Sequence, residues 1–132
     1  MTRDLSLFQN SLFQKGIDEF NAQEFFACHE SLEEFWREQT GAERELTQGI
    51  IQIAVAYYHL KRGNVKGALR LFDRGLPRVR AFAPVSMGLA LTDFIGSVEA
   101  HRAKLAAGEL PSLGAGQLPV LRRCSDPPVG GC

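Results

Sequence analysis

The segment from residue 42 to residue 62 constrains the fold most, because it is apolar around most of a helical circumference. Its apolar side chains recur at intervals of three and four, as Leu46, Ile50, Ile53, Tyr57 and Leu60 on one face and as Ile51, Val55 and Tyr58 on another. A helix with so little polar surface needs other helices around it. The segment therefore predicts the central helix of a helical bundle.

Four further segments have helical periodicity and predict the helices that surround the central one. They cover residues 5–20, 23–38, 65–76 and 92–107. Thr40 and Gly41 interrupt the pattern, so a short turn joins the second helix to the third and makes that pair antiparallel.

Helix ends are predicted from residues with special backbone or capping chemistry. Asn64 is expected to cap the fourth helix, which Gly75 and Pro77 should end or kink. Thr92 is expected to cap the last helix. Four residues of that last helix are predicted to point inward, namely Ile95, Val98, Arg102 and Leu105.

From Gly108 onward the composition changes to glycine and proline with isolated leucines and valines. No helical period continues there, and the leucines favour an extended tail that wraps the bundle over a mobile one. The predicted fold is all-α. A compact bundle of about five helices occupies residues 1–107, and a Gly/Pro-rich extended tail occupies residues 108–132.

Charge and hydropathy argue against two classes of partner. Fifteen basic residues balance fifteen acidic ones without a basic stripe, so we expect no nucleic-acid binding. The longest apolar run is shorter than the ~20 residues of a membrane helix, and the N-terminus lacks the pattern of a secretory signal. Cys28, Cys124 and Cys132 have no metal-like spacing and predict free thiols in a reducing cytoplasm.

The second and third helices carry the polar residues on which a functional site could rest. His29 lies in the apolar face of the second helix, and Glu33 follows one turn later. Gln48, Gln52 and His59 form a polar stripe on the third helix. Counting from the shared turn puts Glu33 level with Gln48 and His29 level with Gln52. We therefore predict a buried polar cluster between the two helices, formed by His29, Glu33, Gln48 and Gln52.

Two interpretations of this polar cluster remain open. In the structural one, a His–Glu pair and glutamine amides cross-link the helices and fix their register. In the functional one, the cluster binds a small ligand or peptide, or Glu33 acts as a general base with His29 as its orienter, as in a hydrolase. We expect no cofactor. A metal on His29, Glu33 and His59 is disfavoured because His59 lies about 10 Å of helix beyond Gln52.

These residues also resemble a known family. The signature His-Glu-x-Leu-Glu-x-x-Trp runs from residue 29 to residue 36, and Gln48-Gly49, Gln52, His59, Gly63-Asn64 and Gly67-Ala68 follow. The pattern is similar to the bacterial and archaeal domain-of-unknown-function family 309, over roughly residues 13–76; Cys28 stands where that family usually has alanine. The resemblance implies an all-helical fold and no established activity. It points to seven shared positions as ligand-binding candidates: His29, Glu30, Glu33, Trp36, Gln48, Gln52 and His59.

The sequence as a whole predicts a small binding or scaffold domain, with a hydrolase-like enzyme as the alternative. A homodimer is also expected. Its basis is the first helix, where Phe8, Phe13 and Phe20 exceed what one narrow face can bury.

Overall fold

A computed structural model describes residues 10–114 and 116–124. Its helices are α1 (Ser11–Asn21), α2 (Phe25–Glu38), α3 (Arg44–Lys61), α4 (Val65–Arg80) and α5 (Thr92–Ala106). Its strands are β1 (Val85–Ser86), β2 (Leu89–Ala90) and β3 (Arg122–Arg123). The predicted all-α class is confirmed. In the described part of the chain, none of the helices combines the length and apolar composition needed to cross a membrane.

The central position of α3 is confirmed, because α3 packs between α2 and α4. Phe25 at the start of α2 stacks on Tyr57 near the end of α3, whereas Trp36 near the end of α2 meets Arg44 at the start of α3. These contacts make α2 and α3 antiparallel. The side chain of Asn64 accepts a hydrogen bond from the amide of Gly67 and caps α4 as predicted.

The hydrophobic core lies on one side of the layer formed by α2, α3 and α4. Helix α1 packs against α2, and α5 packs against α4. Phe20 of α1 reaches Phe94 of α5, with ring centroids 5.5 Å apart, and both rings are buried. Phe20 also contacts Tyr57 of α3. Both outer helices therefore cover the same side of α3.

Helices α3 and α4 approach closely where two glycines face each other. A Cβ atom on Gly75 would lie 2.8 Å from the carbonyl oxygen of Gly49, and one on Gly49 would lie 2.8 Å from Cγ2 of Val79. These distances are too short for a real side chain. The two glycines therefore set the spacing of the two helices.

Three details of the helix predictions are wrong. The predicted end of α4 at Gly75 or Pro77 is wrong, because the helix continues through both residues to Arg80. Thr92 is the first residue of α5 and does not cap it, since Leu91 holds the cap position without a side-chain hydrogen bond. Arg102 faces outward and pairs with Asp73 of α4, because the buried side chain at this turn is that of His101.

The chain after α5 packs along the bundle where it is described. Pro111, Pro119 and Leu121 are buried, and β3 pairs antiparallel with β2 of the β1–β2 hairpin. Asn21 of α1 makes two hydrogen bonds to the backbone of Leu121. The described tail residues thus agree with the predicted wrapping; residues 125–132 lie outside the described part.

Two predictions about individual side chains have clear outcomes. Cys28 is a free thiol in the core, and burial raises its pKa well above the usual range of a thiol. Phe13 and Phe20 are buried in the chain's own core, and Phe8 lies outside the described residues. Among the described residues, Phe13 and Phe20 therefore do not form the exposed aromatic patch on which the homodimer was predicted.

Candidate functional site

The side of α3 that faces away from α1 and α5 is partly open to solvent. Half-buried residues follow one another along it from Gln48 to His59. We call this surface the α3 face and define it by residues of three helices. They are Phe26, His29, Glu33 and Trp36 of α2, Gln48, Ile51, Gln52, Val55, Tyr58 and His59 of α3, and Leu71, Arg74 and Arg78 of α4.

The contacts between helices establish which residues of α2 and α4 border the α3 face. Phe26 packs against Tyr58, with ring centroids 5.5 Å apart. On the other border, Nη1 of Arg78 donates to the side-chain oxygen of Gln52 at 3.2 Å, and Gly67 lies against the ring of His59. Residues 71 and 74 lie on the same helical stripe as 67 and 78, and so they border the α3 face too.

His29 is the most constrained polar residue of the site. Its side chain is 29% exposed, and its Nε2 atom lies 3.4 Å from a carboxylate oxygen of Glu33. The ring also packs against Phe26. Its Nδ1 atom is buried and has no hydrogen-bond partner. Such an atom has lost its water and gained no hydrogen-bond partner in exchange, which costs free energy.

The prediction that the polar cluster is buried is wrong. The carboxylate side chain of Glu33 is 39% exposed and lies near both His29 and Arg37. Gln48 and Gln52 are half-buried, and Gln52 accepts its hydrogen bond from α4, not from α2. The physical reason is that α1 and α5 both pack on the opposite side of the layer. Solvent therefore reaches these polar groups.

The cluster residues nevertheless share one surface and one level of the bundle. The Phe26–Tyr58 and Trp36–Arg44 contacts fix the register of α2 against α3. Helical rise between these contacts puts Glu33 level with Gln48 and His29 level with Gln52. The side chains line the edges of an open surface, and together they offer both donors and acceptors to a bound molecule.

Trp36 lies at the end of the α3 face that is nearest to the turn between α2 and α3. The guanidinium carbon of Arg44 lies 3.7 Å from the centre of its ring, and Nε of Arg44 donates to its backbone carbonyl. The indole Nε1 atom is buried without a hydrogen-bond partner. The contacts with Arg44 thus hold the Trp36 ring, and its buried indole N–H makes no hydrogen bond.

The other two predicted site residues differ in their placement. His59 lies at the other end of the α3 face, near the start of α4, where its Nδ1 atom is 3.3 Å from the side-chain nitrogen of Asn64. Glu30 is exposed on the outer surface of α2, and it acts electrostatically on Lys15 of α1. The structure therefore brings six of the seven candidates to one surface and leaves Glu30 at its outer margin.

Sequence reasoning did not identify the residues that α4 contributes. Arg74 and Arg78 follow Gly67 and Leu71 at helical spacing, so their stripe was visible in the sequence. The sequence did not show that this stripe borders the polar residues of α3. Phe26 was also missed as an exposed ring, although it precedes His29 by one turn.

The α3 face combines half-buried apolar side chains with separate polar groups. Within the described residues, no group of three His, Cys, Asp or Glu side chains could hold a metal ion. Two surface depressions of about 620 and 440 Å³ lie elsewhere, along α1 and between the start of α1 and the end of α2. Neither is lined by a predicted site residue.

Comparison with known proteins shows that this part of the chain is similar to a known family. Residues 13–71 match the model of a family described as Domain of unknown function (DUF309). A stretch of 65 residues is 43% identical to the uncharacterised protein YpuF of Bacillus subtilis (strain 168), and it covers 48% of this chain and 37% of that protein. The chain thus spans little more than a third of the relative that it matches. The resemblance to family 309 is confirmed, and all seven shared positions lie within the matched region.

Proposed function

We propose that the DUF309 region, together with the α4 stripe beside it, is a protein-binding module whose partner docks on the α3 face. The observation that carries the proposal is the exposure of Phe26. This ring is 51% exposed on α2, where it extends the apolar surface of Tyr58. An exposed aromatic group that continues a half-buried apolar surface is typical of an interface.

The polar groups of the α3 face suit the same role. Buried but unpartnered atoms of His29 and Trp36 lie beneath the surface, one an imidazole nitrogen and the other an indole donor. Around them Glu33, Gln48 and Gln52 are half-exposed. Interfaces combine an apolar centre with a rim of such donors and acceptors. A surface of half-exposed side chains favours a protein segment over a small molecule, which needs an enclosing pocket.

The hydrolase alternative has one observation in its favour, the short distance from His29 to Glu33. A base needs apolar surroundings that raise its pKa, and the carboxylate of Glu33 is exposed and lies 3.8 Å from Arg37. Hydrolysis of ester or phosphate probes by the purified chain, lost in Glu33→Gln, would support the enzyme instead.

Site-specific photo-crosslinking tests the binding proposal. A benzoylphenylalanine at position 26 of the full chain, produced in its native host, should form covalent adducts with protein. The matched control places the same group at position 110, since Leu110 is 73% exposed and is not one of the residues that form the α3 face. Adducts at position 26 that are absent at position 110 support the proposal. Equal adduct patterns at the two positions would contradict it.

The variant Glu33→Gln separates binding from a purely structural role of the polar cluster. An exposed ion pair contributes at most about 1 kcal/mol to stability, so this variant should keep nearly the whole free energy of unfolding. A loss of several kcal/mol in urea unfolding would instead show that the cluster holds α2 in place.

A further inference from the structure

We infer that the molecule which docks on the α3 face is a second copy of this chain, forming a two-fold symmetric dimer. The inference rests on the proposed function and adds the identity of the partner. Two observations carry it: the opposite charges of the helices on either side of the α3 face, and the levels at which those charges lie.

Helices α2 and α4 have opposite charge. Helix α2 has four glutamates and one arginine, whereas α4 has five basic residues and one aspartate. Both helices run antiparallel to α3, one on each side of it, so they are parallel to each other. On the α3 face itself the acidic margin is Glu33 of α2, and the basic margin is formed by Arg74 and Arg78 of α4, since Glu38 and Arg80 lie on other sides of their helices.

A two-fold axis that runs along α3 makes this surface complementary to itself. Rotation about such an axis places α2 of one copy over α4 of the other, and the reverse contact follows by symmetry. Each acidic margin then meets a basic margin, while the centres of the two faces meet near the axis. Val55 and Tyr58 are half-buried there and would complete their burial in the dimer.

The levels of the charges agree with this pairing. Glu33 lies level with Gln48, as the α2–α3 contacts determine. The contacts of Gly75 with Gly49 and of Arg78 with Gln52 put Arg74 level with residue 53 or so. Five residues of helical rise, or about 7.5 Å, separate the two levels. Long side chains span that distance, so Glu33 of each copy can pair with Arg74 of the other.

The basic margin is available for such a partner. Within residues 10–114 and 116–124, neither Arg70 nor Arg74 forms an ion pair through its side chain. By contrast, Arg78 pairs with Glu45, and Arg80 pairs with Glu99 on the opposite side of α4. Arg74 is therefore available to pair with the Glu33 carboxylate of a second copy.

Sedimentation of the purified full chain and of two charge-reversal variants tests the inference. The unmodified chain should form dimers at about 100 μM. Glu33→Arg and Arg74→Glu should each weaken dimerisation about tenfold or more, because like charges then face each other. Glu38→Arg, on the α1 side of α2, and Lys104→Glu, on α5, are matched controls that should dimerise normally.

Mixing the two variants gives the sharpest result. In a mixed dimer every contact between positions 33 and 74 again joins opposite charges, so an equimolar mixture should recover the dimer that each variant alone has lost. The double variant Glu33→Arg/Arg74→Glu should recover it for the same reason. Circular dichroism on each variant checks that the fold is retained.

The outcomes distinguish this inference from the proposed function. A chain that stays monomeric at about 100 μM, or variants that do not recover on mixing, overturns the dimer. Photo-adducts at position 26 to a different protein would then still support a docking role for the α3 face. Adducts of twice the mass of the chain at position 26, lost in Arg74→Glu, support both.

Discussion

The hydroxyl of Tyr57 lies 2.7 Å from Nδ1 of His101 in the middle of the core. In the tautomer that carries its proton on Nε2, Nδ1 accepts this hydrogen bond from the hydroxyl. The backbone of Gln117 makes a further hydrogen bond to the same ring. One histidine thus joins α3, α5 and the C-terminal segment, which are far apart in the sequence.

Removing the Tyr57 hydroxyl should destabilise the fold. In Tyr57→Phe the ring of His101 keeps its place but loses a buried donor, which costs about 1–2 kcal/mol. Urea unfolding followed by circular dichroism measures the loss. Tyr58→Phe is the control, because its half-exposed hydroxyl has water available, and its free energy of unfolding should change by less than about 0.5 kcal/mol.

His101 should also make stability depend on pH. Burial lowers the pKa of His101 below its ordinary value of 6.5, the charge of Lys104 adds to this, and the hydrogen bond to Gln117 opposes it. The folded state therefore binds a proton less readily than the unfolded state. The contribution of His101 to the free energy of unfolding is therefore complete above pH 6.5, and it declines as the pH falls below that value.

The comparison of the native chain with His101→Gln isolates this effect, because all other titrating groups are shared. The free energy of unfolding of the native chain should fall more steeply between pH 7.5 and pH 5.5 than that of the variant. Parallel curves for the two proteins would contradict the assignment.

The positions of the helices could be predicted because the signal is local. The periodic apolar residues of α2 and α3 place both helices within two residues of their observed ends. The short turn at Thr40-Gly41 also made the pair antiparallel. Each of these inferences uses residues that are neighbours in the sequence.

The errors arose where distant residues decide the outcome. Pro77 was expected to end or kink α4, but its ring faces solvent, and the packing of Leu76 and Val79 against the core outweighs one lost backbone hydrogen bond. Arg102 was expected to point inward, since positions 101 and 102 fit the helical period almost equally. Its partner Asp73 lies on another helix, 29 residues away.

The prediction that the polar cluster is buried was wrong for the same reason. The helical period predicted on which face of its helix each of His29 and Gln52 lies, and counting from the turn predicted that the two residues are level with each other. Whether a further helix covers that face depends on where α1 and α5 pack. The contact between Phe20 and Phe94 fixes the positions of α1 and α5. It joins the first helix to the last, so no local pattern in the sequence predicts it.

The glycine contact between α3 and α4 predicts a test with opposite results at two positions. Gly75→Ala should destabilise the chain by about 1–3 kcal/mol, because the new methyl group would meet the carbonyl oxygen of Gly49 at 2.8 Å and Cγ1 of Ile53 at 2.9 Å. Thermal unfolding measures the change. A helix packed loosely at this point would instead gain stability from alanine, which contradicts the prediction.

Gly96 is the matched control for that test, since it also lies inside a helix. It is exposed on α5, and a Cβ atom there would meet nothing within 4 Å. Gly96→Ala should therefore stabilise the chain by up to about 1 kcal/mol through helix propensity alone.

Asn21 should determine whether the C-terminal segment stays on the bundle. Its side chain donates to the carbonyl of Leu121 at 3.0 Å and accepts from the amide of Leu121 at 2.8 Å. In Asn21→Ala both bonds are lost, and their combined contribution of about 1–3 kcal/mol should disappear from the docking of this segment. Hydrogen exchange at the Leu121 amide should then accelerate about tenfold or more, while exchange in the core of α3 changes little.

Ala22→Gly, at the neighbouring exposed position, is the control that should leave the Leu121 amide protected. Unchanged exchange at Leu121 in Asn21→Ala would mean that the buried Leu121 side chain and the β2–β3 pairing hold the segment without Asn21.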